Sequence, residues 1–201
     1  MAPPLPMRFI TSADRLAGLP DTGAEVAVVG RSNVGKSSLL NALGNRKNLA
    51  HVSKTPGRTQ LLNCFEVEPG ATLIDCPGYG YAAAPKATRA TWPRMIEGYL
   101  LEREGLEMIA VLVDGEIGPT KLDVQMLAWL RAHALPHTVI ATKHDQVKAS
   151  RRDARKRELA AGCDLEPSDI VWVSAAKGVG IDRLRGLVRL WLGLDDRVTG
   201  G

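Results

Sequence analysis

The chain has 201 residues, 45% of them hydrophobic and 24% charged, which suits one globular domain with a proper core and leaves little room for a second. No stretch approaches the roughly 18 apolar residues of a membrane span, and residues 1–6 lack the charged-then-apolar layout of a secretion signal, so the expectation is a cytoplasmic protein with no membrane partner. Cys64, Cys76 and Cys163 are widely spaced with no CxxC pair or histidine cluster and read as reduced, buried apolar residues; the net charge of +4 permits a nucleic-acid partner without showing one.

The first 22 residues contain four prolines and are expected to form a partly extended arm. Apolar runs at 25–29, 61–67, 71–74, 108–113, 138–141 and 170–173 predict six strands. Only Glu68, Pro69 and Gly70 separate the second run from the third, too few for a crossover helix, so that pair is expected to be an antiparallel hairpin. Later segments carry helical stripes: Leu122, Met126, Trp129, Leu130 and His133, then Ile181, Leu184, Val188, Trp191 and Leu192. Alternating strands and helices predict an α/β domain over residues 23–194, a mostly parallel six-stranded sheet with helices on both faces. Residues 195–201 are expected to fray.

Gly30-Arg31-Ser32-Asn33-Val34-Gly35-Lys36-Ser37 matches GxxxxGK[ST], directly after a predicted strand and before the helical residues 38–43. The pattern needs glycine at 30 and 35 so that the amides from Arg31 to Val34 can turn inward around phosphate oxygens, while the helix end adds its positive dipole. Lys36 supplies a fixed charge for the β and γ phosphates, and the Ser37 hydroxyl is placed to ligate Mg²⁺.

Downstream residues choose the nucleotide. Asp75-Cys76-Pro77-Gly78 ends an apolar strand as DxxG, which puts Asp75 near the Mg²⁺ shell and the Gly78 amide near the γ phosphate. Thr142-Lys143-His144-Asp145 ends another, where ligands bind open α/β sheets, and resembles the [NT]KxD guanine-reading pattern of GTPases. Asp145 would accept hydrogen bonds from guanine N1 and the 2-amino group, which adenine cannot donate, with Lys143 along the base and the P-loop. Val173-Ser174-Ala175 ends the last strand in the manner of an SA station, where the Ala175 amide meets guanine O6. All stations in order point to GTP and GDP. A small-molecule kinase would need a phosphoacceptor site and a lid, and no lid-like insertion is present.

Ser53-Lys54-Thr55-Pro56-Gly57-Arg58-Thr59-Gln60 and Asp75-Cys76-Pro77-Gly78-Tyr79-Gly80-Tyr81-Ala82 resemble the hallmarks of the bacterial EngB-type (YihA or YsxC) GTPases of the Era-like group, over residues 9–192. The resemblance implies a single Ras-like P-loop domain that hydrolyses GTP slowly with Mg²⁺, and a monomer is the default expectation. It makes Thr59 the switch threonine that closes on Mg²⁺ and the γ phosphate, so Ser37 and Thr59 are the implied metal ligands. Gly57, Arg58, Gln60 and Leu61 lie beside it against the nucleotide, and Lys36, Thr59 and Gly78 are the implied catalytic groups. It further implies a role in assembling the large ribosomal subunit, through a precursor of rRNA and ribosomal proteins, and in normal septum formation. Cys76, where the family usually has leucine, and Ala175, where a second serine is common, are small departures. The competing reading is a nucleotide-gated RNA- or protein-binding module with incidental hydrolysis.

Tyr79 stands where Ras-like enzymes carry the glutamine that orients attacking water, which excludes a direct glutamine mechanism. By resemblance to other GTPases lacking that glutamine, Asn33 either helps to hold a K⁺ ion or stabilises the loop. Arg58 is a mobile candidate for an activating arginine. Two basic sets are candidate partner surfaces: residues 148–157, which read equally as a solvated helix face with Asp153 and Glu158 placed for neutralising pairs, and Arg46, Lys47, Lys54 and Arg58 beside switch I, the better placed for a GTP-gated contact. Tyr79 and Tyr81 either stack on a partner or pack beneath the loop. Trp92, Trp129, Trp172 and Trp191 read as core.

Overall fold

Val26, Ala27, Val28 and Val29 are all buried because the strand they form, β2 (Ala24–Gly30), lies at the middle of the sheet and is covered on both faces. The computed structural model describes residues 2–50, 61–80 and 86–194, with 86–93 described as backbone only. The other strands are β1 (Arg8–Ala13), β3 (Leu62–Glu68), β4 (Ala71–Asp75), β5 (Leu106–Asp114), β6 (His137–Thr142) and β7 (Ile170–Trp172). The helices are α1 (Lys36–Leu43), α2 (Lys86–Glu102), α3 (Lys121–Ala132), α4 (Arg152–Cys163) and α5 (Ile181–Trp191). The sheet order is β1-β3-β4-β2-β5-β6-β7, with β4, β2, β5, β6 and β7 parallel and β1 and β3 antiparallel to their neighbours. β2 pairs with β4 on one side and β5 on the other, so the strand order reverses there and opens a crevice at the carboxyl ends.

The hairpin forms as expected: β3 and β4 are antiparallel, joined at Pro69 and a Gly70 with φ +80°. The sheet has seven strands and not six, because the expected arm over residues 1–22 contains β1, which pairs with β3 at the sheet edge. Beyond pairing, Leu5 and Met7 are buried against α1 and the Leu5 amide donates to Leu43 O at 3.0 Å. Their apolar burial is what the four prolines conceal from a sequence reading. α2 has no counterpart among the predicted helices, although its second half buries Ile96, Tyr99 and Leu100 on one face.

Helices cover both faces. α1 and α5 pack on one face through Leu39, Leu40, Leu43, Ile181, Leu184 and Val188; α2, α3 and α4 pack on the other through Ile96, Tyr99, Leu127, Leu130, Leu159 and Cys163. The α5 stripe matches its prediction, whereas in α3 the buried residues are Asp123, Leu127 and Leu130, and Leu122 and His133 are exposed. Arg185, buried on α5, donates to Leu43 O at 3.0 Å and Ala42 O at 2.7 Å, satisfying carbonyls that the end of α1 leaves open. At the far end of the sheet Glu25, fully buried, accepts hydrogen bonds from Tyr99 (2.6 Å), Thr72 (3.1 Å) and Arg103 (3.1 Å), tying β2 and β4 to α2. All three cysteines are free and buried, and burial pushes the Cys64 and Cys163 thiols up to about 11. Trp129, Trp172 and Trp191 are half-buried and pack against the two cores; the side chain of Trp92 lies outside the described residues. No helix among the described residues is long and apolar enough to cross a membrane.

Candidate functional site

The end of β2 turns into α1 through residues 30–37, and the turn admits no side chain at its first position. A Cβ on Gly30 would lie 2.9 Å from Val34 Cγ1 and 3.0 Å from Leu112 O. Gly35, with φ +104°, takes a left-handed conformation and is the N-cap of α1, with no side chain capping the first-turn amides. Those amides therefore remain open to an anion. Val34 is buried, and Arg31, Ser32, Lys36 and Ser37 are half-buried. Asn33 is exposed with φ +65°, a conformation that Asn tolerates better than most residues, and its side chain bonds no described residue.

Lys36 and Asp75 form the charged centre. Burial lowers the Lys36 ammonium below its usual range, with the Asp75 carboxylate opposing. Burial likewise pushes Asp75 up to about 6, while Lys36 and a hydrogen bond from Asn63 pull it back. Asp75 Oδ1 is buried without a hydrogen-bond partner among the described residues. An orphaned acceptor there fits a water on a hard cation, and Ser37 offers the same cation a hydroxyl, so the residues present suit Mg²⁺.

Beyond Asp75, the buried residues Cys76 and Pro77 lead into a zipper against the P-loop. Tyr79 N donates to Gly30 O (3.1 Å), Ser32 N donates to Tyr79 O (3.0 Å), and Ser32 Oγ donates to Gly78 O (3.2 Å). Gly78 sits so close that a Cβ would lie 2.8 Å from Lys36 Nζ. The Tyr79 side chain is 9% exposed and its hydroxyl donates to Asp123 Oδ1 at 2.8 Å. Burial first and Asp123 second hold the phenol protonated, well above its ordinary range. Asp123 also lies 3.4 Å from Arg31 Nε and accepts from the Thr120 amide and hydroxyl at 2.8 Å. Of the two readings for Tyr79, packing is the one realised; Tyr81 lies outside the described residues.

The opposite end of the crevice gathers the other two stations. Thr142 Oγ1 donates to Val34 O at 2.7 Å, fastening the end of β6 to the P-loop. Lys143 adopts φ +55° and its Nζ donates to Asp114 Oδ2 at 2.6 Å. Asp145 Oδ1 accepts from Ser174 Oγ at 2.5 Å, and Ser174 Oγ accepts from the Lys177 amide at 3.1 Å. A cleft of about 170 Å³ runs between these groups, lined by Gly35, Leu39, Thr142, Asp145, Val173 and Ala175 among others. His144 faces away from it: the ring stands edge-to-face on Trp172 at 5.6 Å, and burial, then Arg152 and Lys156, lower its pKa. Gly57, Arg58, Thr59 and Gln60 lie outside the described residues, and Leu61, the first residue after them, is 38% exposed.

Two carboxylates escaped the sequence reading. Asp114, 1% exposed, ends β5 and binds three donors: Lys143 Nζ and the amides of Glu116 (3.0 Å) and Ile117 (3.1 Å). Its signal was available, an acid closing an apolar strand where an α/β sheet places its ligand. The next residue, Gly115, admits no side chain, since a Cβ would lie 2.5 Å from Thr142 O. Asp123 carried no such signal, because an acid near a helix start reads as a cap.

The chemistry this assembly supports is an open-amide cradle with a cation at one end, and an oriented carboxylate above a narrow cleft at the other. The family model described as 50S ribosome-binding GTPase matches residues 25–143. A probable GTP-binding protein EngB of Pelotomaculum thermopropionicum is 44% identical over 191 residues, 94% of this chain and 96% of the relative. Its counterpart from Haemophilus influenzae strain 86-028NP is 44% identical over 186 residues, 91% of each chain. Among solved structures, a probable GTP-binding protein engB shares the fold with a TM-score of 0.70 at 24% identity, over 85% of this chain and 99% of that one. Era in complex with MgGDPNP and nucleotides 1506–1542 of 16S ribosomal RNA has a TM-score of 0.66 at 24% identity, over 84% of this chain and 56% of that one.

Proposed function

This chain belongs to the EngB family of GTPases, which bind GTP and hydrolyse it, and from that premise we propose that it acts as a GTP-operated switch in assembly of the large ribosomal subunit and is needed for normal septum formation. The carrying observation is the convergence of residues 30–37, 75–78, 142–145 and 173–175 on one crevice at the carboxyl ends of β2, β4, β6 and β7. The ribosomal part is supported by the description of the matching family model, a 50S ribosome-binding GTPase. The protein works in the cytoplasm as a monomer, on a precursor of rRNA and ribosomal proteins.

In this reading the P-loop amides and Lys36 hold the β and γ phosphates, and Ser37 and Thr59 would hold Mg²⁺ with the Asp75 carboxylate beside its shell. When bound, the metal neutralises charge that develops on the phosphate oxygens. Asp145, oriented by Ser174, accepts from guanine, and Lys143, held by Asp114, lies along the base. Gly78 senses the γ phosphate. Tyr79 orients no water, since its hydroxyl is committed to a buried carboxylate; intrinsic turnover is therefore slow, and a partner completes the site. Asn33 offers the exposed side chain through which K⁺ would act at the phosphates; equal turnover in KCl and NaCl, with and without ribosomes, removes that role.

The test is sedimentation with purified large ribosomal subunits and their precursors at fixed salt, comparing a nonhydrolysable GTP analogue with GDP. Co-sedimentation with the analogue alone is expected. Absence of binding in both nucleotide states would refute the ribosomal reading and leave the GTPase.

A further inference from the structure

The positive charge of this chain is concentrated in one place. Residues 148–157 hold Lys148, Arg151, Arg152, Arg155, Lys156 and Arg157 against Asp153, a formal +5, while the whole chain carries +4 and the other 191 residues therefore a net −1. Among the described residues Glu158 is the one acid ion-paired with this set. It meets both Arg151 and Arg155 at 3.3 Å, and a single carboxylate leaves one of two guanidinium charges unanswered. Arg152 Nε donates to Val147 O at 3.3 Å, which leaves its charge unpaired. Lys148 and Arg157 are exposed, and neither they, nor Lys156, nor Asp153 makes an ion pair with a described residue.

One carboxylate and one carbonyl answer only part of this charge. The cations cluster on the turn at 149–151 and the first two turns of α4, where the helix end already presents partial positive charge, and no side chain caps that end. A local rule broken with so little internal compensation points to an external polyanion. Spacings of three and four residues put the cations beside one another along the helix. Arg152 bonds Val147 O, two residues beyond Asp145, so the set adjoins the proposed base-reading loop. From 148 to 157 the remaining residues are alanine, serine and Asp153, with no aromatic or large apolar side chain. The face therefore lacks both a base-stacking platform and the apolar anchors on which protein interfaces depend.

We propose that the start of α4, from Lys148 to Arg157, is a contact surface for the phosphate backbone of duplex RNA, engaged through charge and shape and not through base sequence. This deepens the ribosomal reading above and rests on it. Duplex RNA is favoured because its base edges are hidden while its phosphates are regularly spaced.

The experiment titrates a fluorescein-labelled RNA duplex of unrelated sequence into the full chain loaded with a nonhydrolysable GTP analogue, across a salt series. It compares wild type with Lys148→Glu/Arg157→Glu and with the control Arg15→Glu/Arg183→Glu, which changes net charge equally at exposed sites. The α4 pair is expected to weaken binding at least tenfold and to lower the slope of log K against log salt by about 1.8, or about 0.9 for each lost phosphate contact. GDP affinity should not change, and the control should keep the wild-type slope. No duplex binding by wild type, an unchanged slope in the α4 pair, or an equal loss in the control overturns the proposal. So does polyglutamate binding as tight as RNA binding and abolished by the same variant, which would assign the face to an acidic protein. Co-sedimentation with large ribosomal subunits separates the two levels. An α4 variant that pellets like wild type overturns the surface and leaves the ribosomal reading standing, whereas a wild type that does not pellet sinks that reading while the duplex titration still decides the surface.

Discussion

Replacing Ser174 by alanine deletes one hydroxyl and should cost most of the guanine affinity while leaving the fold alone. Ser174 is fully buried, and its Oγ donates to Asp145 Oδ1 at 2.5 Å while accepting the Lys177 amide at 3.1 Å. The main-chain bond from Ser174 N to Val179 O at 2.9 Å does not depend on the side chain, so the loop and the neighbouring Ala175 amide stay in place. A hydrogen bond to a charged group contributes about 1.5–3 kcal/mol, and each 1.4 kcal/mol is about tenfold in affinity, so the expected loss is roughly 10- to 100-fold. Because Asp145 is half-buried and can recruit water when no nucleotide is bound, the stability of the empty protein should fall by less than about 1 kcal/mol. Titration with a fluorescent GDP analogue measures the affinity, stopped-flow release the off-rate, and a thermal melt the fold. GDP should be lost selectively against ATP, since adenine lacks the N1–H and 2-amino donors that Asp145 accepts from. A loss under threefold in a folded variant, or an equal loss for GDP and ATP, would refute the claim that Ser174 acts by orienting a base-reading carboxylate.

Asp114→Asn should lower GDP affinity about tenfold by freeing Lys143 from the 2.6 Å contact that holds it; unchanged affinity in a folded variant would exclude the pair from base binding. Gly78→Ala places a methyl 2.8 Å from Lys36 Nζ and 2.9 Å from Ser32 N, so single-turnover GTP hydrolysis should drop at least about tenfold while GDP affinity holds within about threefold. Full hydrolysis in that variant would show that the loop has room to spare. Asp75 makes the pH dependence specific. Its folded pKa of about 6 lies above the ordinary 3.8, so the folded state takes up a proton that the unfolded state does not between those values, and stability falls as pH rises through that window. The displacement of about two pH units corresponds to about 3 kcal/mol at most. Urea unfolding of the nucleotide-free protein at pH 4.5 and 6.5 should show this slope in the wild type and its loss in Asp75→Asn; equal slopes in both would remove Asp75 as the cause.

In the proposed mechanism Tyr79 is the reason that a partner completes the site. It occupies the water-orienting position, yet it is fixed at both ends: its backbone is bonded to Gly30 and Ser32, and its hydroxyl to Asp123 on α3. The same carboxylate faces Arg31, so P-loop, switch region and α3 meet at one buried acid.

The local pattern of residues was enough to put residues 30–37, 75–78, 142–145 and 173–175 at strand ends and to give the hairpin and six of the seven strands. Each is specified by short-range chemistry: glycine where the backbone must turn tightly, a cation and a hydroxyl at fixed spacing, and apolar runs long enough to fill a buried strand. What only tertiary structure decided are the contacts between segments distant in sequence. β1 belongs to the sheet because Leu5 and Met7 bury against α1 and its backbone pairs with β3 some 50 residues away, and nothing in a proline-rich stretch announces that. Asp123 is buried because Tyr79, 44 residues earlier, supplies the hydroxyl that makes a sequestered carboxylate tolerable. Asp114 finds Lys143 29 residues later across the β5–β6 pair. A charge is left out of water only where the fold brings it a partner, and which partner arrives depends on strand order, which no local spacing encodes.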